Sequence, residues 1–363
     1  MRYYIVVGEA SGDVHAANLM AEIKKIDSKA EFRGFGGERM KAEGMGLKRS
    51  LSDLAFMGFV EVIKNLRTIL GNLSACKEDI LEFKPDKLIL VDYPGFNLRV
   101  AKWAKTQSIP VTYYISPQVW AWKESRVKTI RKVVDRMMVI LPFEKEFYAK
   151  HDFNVDFVGH PLIDEIKKWN APQISKEEKV IALLPGSREQ EIAQIMSVML
   201  EVTIRFPHEK FVIGKAAHIP DDFYRSHNLN SIEVSSEGTY SLLSRSKMAL
   251  VTSGTATLET ALFKVPQVVC YKSNGISYQL AKRLIRVPYI SLVNLVMDRE
   301  CVPELIQDEL NVENLKTQIE ILAMDSDKRQ KQLKDYQELE QRLGSTGASA
   351  RAAQLIDSQD GVH

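Results

Sequence analysis

Hydrophobic residues along this chain fall into short apolar runs separated by stretches of helical period. Strands fit residues 3–7, 31–36, 87–91, 110–115, 136–141 and 155–158, with helical patterns between them. A run without polar alternation suits a strand covered on both faces, the condition of a parallel sheet. From 164 to 178 the chain turns polar, loses its period and holds Pro172, which places a domain boundary there. Alternation then resumes, with strands at 180–184, 211–213, 248–252 and 267–271 and helices at 188–205 and 257–263. Residues 311–356 read as helical, and 327–342 carry charge nearly all round, as a solvated face does. Strand–helix alternation of this kind predicts an α/β fold of two doubly wound domains facing across a cleft. The expected bounds are 1–165 and 166–310, followed by a helical C-terminal segment, 311–363.

One helical pattern is broader than a core contact needs. In FMGFVEVIKNLRTILGNL (56–73), apolar residues recur at 59, 62, 63, 66, 69, 70 and 73. Phe56, Met57 and Val60 widen the stripe, and Lys64 and Arg67 lie beside it. A core helix gives this pattern, and so does an amphipathic helix that lies on anionic lipid or grips an acyl chain.

Strand ends are where an open α/β sheet does chemistry. The run 87–91 ends in Asp92-Tyr93-Pro94-Gly95, and Asn97 can cap a helix starting at Leu98. A carboxylate set before a turn can act as a base or only pin its own loop. The first strand leads into Gly8-Glu9-Ala10-Ser11-Gly12-Asp13, whose glycines are spaced GxxxG, so no dinucleotide fingerprint is supported. Pro185-Gly186-Ser187-Arg188 joins a strand to a helix, where free backbone N–H groups favour an anion and Arg188 suits a pyrophosphate. Ser253-Gly254-Thr255 repeats that arrangement one unit later, and Glu259 could accept from the hydroxyls of a ribose. Two such loops in one domain point to a nucleotide diphosphate.

In SPQVWAWK (116–123) the tryptophans stand two apart, so they cannot share one helical face. One can line the cleft while the other packs inside. Lys123, Arg126, Lys128, Arg131 and Lys132 follow, either as a solvated basic face or as a site for an anionic partner. His160, in Gly159-His160-Pro161, sits just after a strand and can enter the cleft from the hinge. No HxxxE or HExxH spacing marks a metal site.

Bulk numbers narrow the class. A chain of 363 residues suits about two domains of ~150–200 residues. Its 45% hydrophobic and 26% charged composition is that of a soluble globular protein, and a net charge of +2 gives no global drive toward nucleic acid. Cys76, Cys270 and Cys301 are scattered and odd in number, which fits a reducing cytoplasm. The opening apolar run is too short for a signal-peptide core, and no stretch reaches the ~18–20 apolar residues that span a bilayer.

GEASGD (8–13), MGFVEV (57–62), DYPGFN (92–97), SPQVWAW (116–122), LPFEKEFY (141–148), VGHP (158–161), LLPGSR (183–188) and SGTATLE (253–259) together resemble the lipid-A-disaccharide synthase family. AKRLI (281–285) and SLVNL (291–295) continue the likeness, with Val293 where proline is expected. The resemblance implies a GT-B fold of two Rossmann-like domains. It implies an inverting, metal-independent glycosyltransferase that needs no cofactor and moves 2,3-diacylglucosamine from UDP to 2,3-diacylglucosamine 1-phosphate. Asp92 then becomes the base. Gly186, Ser187, Arg188, Ser253, Gly254, Thr255, Glu259 and Asn294 become the donor site of the second domain. Glu9, Ser11, Asp13, Asn97, Trp120 and His160 fall on the acceptor side. Met57, Phe59, Val62, Ile63, Lys64, Leu66 and Arg67 become a contact for acyl chains or for the anionic cytoplasmic face of the inner membrane, to which the protein would bind peripherally. A homo-oligomer is left open. A UDP-sugar epimerase of the same architecture would lack a use for the apolar helix. A non-catalytic nucleotide- or lipid-binding protein would lack one for Asp92.

Overall fold

The apolar runs form strands in the computed structural model, which describes residues 1–51, 66–169, 179–227, 229, 231–275, 278 and 287–358. The chain divides into two units, Met1–Pro161 with Gly344–His363, and Leu162–Leu343. In the first, β1 (Arg2–Val6), β2 (Glu31–Gly36), β3 (Gly46–Ser50), β4 (Lys87–Val91), β5 (Val111–Tyr114), β6 (Arg136–Val139) and β7 (Asp156–Phe157) build a sheet in the order β3-β2-β1-β4-β5-β6-β7. In the second, β8 (Val180–Leu184), β9 (Phe211–Gly214), β10 (Glu233–Ser235), β11 (Ser246–Thr252), β12 (Gln267–Tyr271) and β13 (Glu304–Ile306) run β10-β9-β8-β11-β12-β13. Neighbouring described strands pair in parallel, as β1 does with both β2 and β4.

Alternate side chains of each strand feed opposite cores. Tyr4, Val6, Leu88 and Leu90 enter one, while Tyr3, Ile5, Ile89 and Val91 enter the other. Ile181 and Leu183 part from Val180, Ala182 and Leu184 in the same way. Burial on both faces is why these runs lack polar alternation. The strand order reverses between β1 and β4 in one sheet and between β8 and β11 in the other. Loops leaving the carboxyl ends of those four strands therefore flank the crevices where such sheets take ligands.

The region from 311 onward differs from the expected single segment. Helix Asp327–Leu343 stays with the second unit, whereas helix Ala348–Asp357 belongs to the first. There Ala352, Ala353 and Ile356 pack beside Ala16 and Met20. Arg351 Nε donates to the Val158 carbonyl at 2.9 Å, and Lys87 and Arg136 donate to the terminal carbonyls of Ile356 and Leu355. Cations at those carbonyls complement the negative end of the helix. Nor is Asp327–Leu343 merely solvated. It buries Gln332, Asp335, Tyr336 and Leu339, with Gln332 Oε1 accepting from the Gln267 backbone N–H at 3.0 Å. Arg299 pairs with Asp335 at 2.9 Å and Glu338 at 2.6 Å. A face buried through polar groups reads as a solvent face in sequence.

Helical structure also runs past 73, where the apolar stripe at 56–73 ends. Helix Leu66–Phe83 buries Cys76, Asp79 and Ile80, with Asp79 held by Tyr4 at 2.9 Å and by Arg33. Met57, Phe59, Val62, Ile63 and Lys64 lie outside the described residues. Arg67 and Leu70 are exposed.

Candidate active site

Asp92 ends β4 in left-handed backbone, φ +44°, and Tyr93 follows at φ +47°. Two successive non-glycine residues in that region store strain, which persists only where surroundings hold it. The Asp92 carbonyl accepts from the Tyr113 hydroxyl and, at 2.9 Å, from Asn97 Nδ2. The same amide reaches the carbonyls of Val91 (3.1 Å) and Val6 (3.4 Å). Asn97 is thus no helix cap. The helix spans Pro94–Thr106 with Tyr93 at its N-cap, and Asn97, buried in the first turn, anchors the loop. The Tyr93 ring lies on Gly8, where a Cβ would fall 2.2 Å from Cγ, so only glycine fits there.

The half-buried Asp92 carboxyl is pushed up to about 7, chiefly by burial and then by the negative charge of Glu9. A carboxylate with that proton affinity is suited to taking a proton near neutral pH. Glu9 stands at the N-cap of helix Ala10–Ile26, partly exposed, and Ser11 is exposed in the first turn. Asp13 points elsewhere. Its carboxylate is buried against the backbone N–H groups of Gly37 (2.8 Å), Arg39 (3.0 Å) and Met40 (3.1 Å), fixing the start of helix Glu38–Ala42.

The tryptophans part as their spacing requires, and Trp120, which the resemblance puts on the acceptor side, is the one that packs inside. Trp120 is buried, donating to Glu144 Oε1 at 3.1 Å and meeting Phe143 edge-on at 4.9 Å, while Trp122 is 46% exposed. Glu144 is pushed up to about 7 by burial and also accepts from the Leu141 N–H at 3.1 Å. Ser116 and Tyr148 share a buried hydrogen bond of 2.7 Å nearby. His160 is buried too, and burial followed by the neighbouring His15 lowers it to about 3, so it stays neutral at physiological pH.

In the second unit, Gly186, Ser187 and Arg188 leave β8 just before helix Glu189–Thr203. Gly186 holds φ +127°, and a Cβ there would lie 2.5 Å from the Glu191 carboxylate. Glu191, which sequence reading passed over, accepts from the Ser187 N–H at 3.3 Å. Burial raises its carboxyl against the pull of that N–H. In the first turn of a helix, an acid has the sequence pattern of one that merely complements the dipole. Gly254 and Thr255 are exposed at the start of helix Thr255–Leu262, with open space around Gly254. Ser253 Oγ donates to the Ile290 carbonyl at 2.7 Å. Glu259 is partly exposed, and burial pushes its carboxyl up to about 7.

Asn294 does not share this openness. Fully buried, its Nδ2 donates to the Val302 carbonyl (2.9 Å) and Glu304 (2.8 Å), while its Oδ1 accepts from the N–H groups of Cys301 (2.7 Å) and Val302 (3.0 Å). Its side chain is committed to the turn before β13, which leaves a nucleotide little to bind. Val293 is the second residue of helix Leu292–Met297, where a backbone N–H needs no intrahelical partner, so valine and proline are interchangeable in hydrogen bonding.

Solved structures share this architecture. The glycotransferase of kitacinnamycin superposes with a TM-score of 0.69 at 15% identity, covering 98% of both chains. UDP-GlcNAc 2-epimerase from Neisseria meningitidis superposes with 0.68 at 14% identity, covering 98% of this chain and 99% of that one. Such likenesses show fold alone. Two doubly wound parallel sheets with these neighbours define the GT-B class.

Sequence then separates the glycosyltransferases from the epimerases. A family model described as Lipid-A-disaccharide synthetase matches residues 3–358. The lipid-A-disaccharide synthase of Geobacter metallireducens is 39% identical over 373 residues, covering 98% of this chain and 96% of the relative. That of Nitrosococcus oceani is 40% identical over 366 residues, covering 97% and 94%. The chain belongs to the lipid-A-disaccharide synthetase family and is a glycosyltransferase of lipid A biosynthesis.

Proposed function

We propose that the protein condenses UDP-2,3-diacylglucosamine with 2,3-diacylglucosamine 1-phosphate, giving the disaccharide 1-phosphate and UDP with inversion and without a metal. An acceptor hydroxyl attacks the anomeric carbon as the carbon–oxygen bond to the diphosphate breaks. The hydroxyl proton passes to the Asp92 carboxylate. Charge growing on the leaving diphosphate falls to the backbone N–H groups at Ser187 and Thr255 and to Arg188. Glu259 takes the ribose hydroxyls, and Glu9 and Ser11 border the acceptor. The observation that most supports this reading is Asp92 itself, a strained and partly buried carboxyl at the switch point with a proton affinity near neutrality.

Both substrates are lipids, and we assign the apolar stripe at 56–73 to their acyl chains and to the cytoplasmic face of the inner membrane. Exposed Leu70 and Arg67 are consistent with such a surface. Among the described residues no helix is long and apolar enough to cross a membrane. Incubating the purified chain with both lipid substrates should yield disaccharide and UDP. Asp92→Ala should abolish the product while UDP still binds, and unchanged turnover by that variant would remove Asp92 from the mechanism.

A further inference from the structure

We infer that Lys123 and Arg126, set around the exposed ring of Trp122, hold the phosphate of the acceptor sugar. The site presupposes the acceptor named above and adds to it the residues that recognise its phosphomonoester.

Helix Val119–Trp122 is one turn long, and residues two apart on it point in opposed directions. With Trp120 inside, Trp122 is turned out. Lys123 Nζ lies 4.1 Å from the centre of its ring and the Arg126 guanidinium carbon 5.7 Å. Two nearby carboxylates are turned to other groups. Glu124 pairs with His151 at 3.1 Å and Arg131 with Asp152 at 3.8 Å. Among the described residues no carboxylate pairs with Lys123 or Arg126. Both cations are lowered in proton affinity, Lys123 by burial and then by Arg126, and Arg126 by burial. Two like charges gathered around one ring, each partly stripped of water, repel each other unless an anion joins them. A phosphomonoester carries the matching charge at neutral pH. The exposed part of the Trp122 indole offers apolar surface beside the cations for the apolar side of a sugar.

Position favours the acceptor as the source of that phosphate. Arg126 is felt electrostatically by the Tyr113 hydroxyl, the same group that donates to the Asp92 carbonyl. Asp92 directly follows β4, and the segment that carries the cation pair follows the adjacent strand β5 by way of helix Val119–Trp122. A sugar presenting its hydroxyl to Asp92 can carry its phosphate to Lys123 and Arg126. The donor diphosphate is assigned to loops of the other unit, and lipid headgroups at large would not require a cation pair linked through Tyr113 to the loop of the base.

The test compares 2,3-diacylglucosamine 1-phosphate with the same sugar lacking phosphate, using wild type, Lys123→Gln, Arg126→Gln and Arg126→Lys. Removing either charge should raise KM for the phosphorylated acceptor roughly tenfold or more, the effect of losing one charge-assisted hydrogen bond. Turnover of the dephosphorylated sugar should not change, and Arg126→Lys should recover part of the loss. UDP affinity serves as the control for folding. Equal losses on both acceptors, or an unchanged KM, would overturn the assignment. So would loss of binding to phosphatidylglycerol vesicles with KM intact, which would make the pair a membrane contact. If wild type makes no disaccharide, the reaction itself is misassigned. Titration of the phosphorylated sugar, read by Trp122 fluorescence against a Trp122→Phe control, then still decides the pair. Binding that weakens in both Gln variants supports it, and binding that does not refutes it.

Discussion

The hydroxyl of Tyr113 donates to the backbone carbonyl of Asp92, tying the end of one strand to the strained residue that leaves its neighbour. Tyr113 is fully buried, so this hydroxyl has no water to compensate its loss. Tyr113→Phe should therefore relax the loop and reduce kcat about tenfold, since one hydrogen bond is worth about 1 kcal/mol or somewhat more. UDP affinity should be unaffected, and steady-state kinetics alongside UDP titration would check both.

Transfer should fall as pH drops below about 7, because Asp92 must be unprotonated to accept a proton and its carboxyl titrates near there. Glu259 is also raised to about 7, so UDP affinity should weaken over the same range. Glu259→Gln should flatten the pH dependence of UDP binding and leave the acid limb of kcat. Rate profiles at saturating donor separate the two.

Asp92 costs stability. Its folded proton affinity lies near 7 and its unfolded one near ~3.9, so the folded state binds more protons between those values. Stability is lost as pH rises through that window, and the loss is complete above the folded value. Asp92→Asn should accordingly raise Tm by about 2–6 °C at pH 8, with no gain at pH 4, while abolishing transfer. Thermal melts at the two pH values measure this.

Gly186→Ala should weaken UDP binding with little effect on the first unit. The new methyl would meet the Glu191 carboxylate in a backbone conformation that alanine adopts poorly. Asn294→Ala, by contrast, should lower stability by about 2–4 kcal/mol through unpaired buried groups, and leave UDP affinity of the folded fraction near wild type. Denaturant curves and calorimetric titration distinguish these outcomes.

Most of the fold was legible because burial on both faces of the sheets leaves nearly unbroken apolar runs, as at Lys87–Val91. Edge strand β3, GLKRS, carries almost no apolar residues and gave no signal, and β10 and β13 are three residues each. The positions of Asp92, Gly186 and Gly254 at strand ends were readable from turn chemistry. What Asp13, Asn97 and Asn294 bond to was not, because a polar side chain spent on distant backbone looks the same in sequence as one offered to a ligand. Trp120 and Trp122 illustrate the same limit. Their spacing shows that they must diverge, yet only the Glu144 carboxylate, 24 residues on from Trp120, decides which turns inward.

Helix Ala348–Asp357, which completes the first unit, has a consequence for how the chain is made. During synthesis the second unit can close as soon as its own residues leave the ribosome, while the first must wait with the flank of Ala16 and Met20 uncovered. A fragment stopping at Pro161 should on that account be prone to aggregate, and supplying 344–358 as a separate peptide should rescue it.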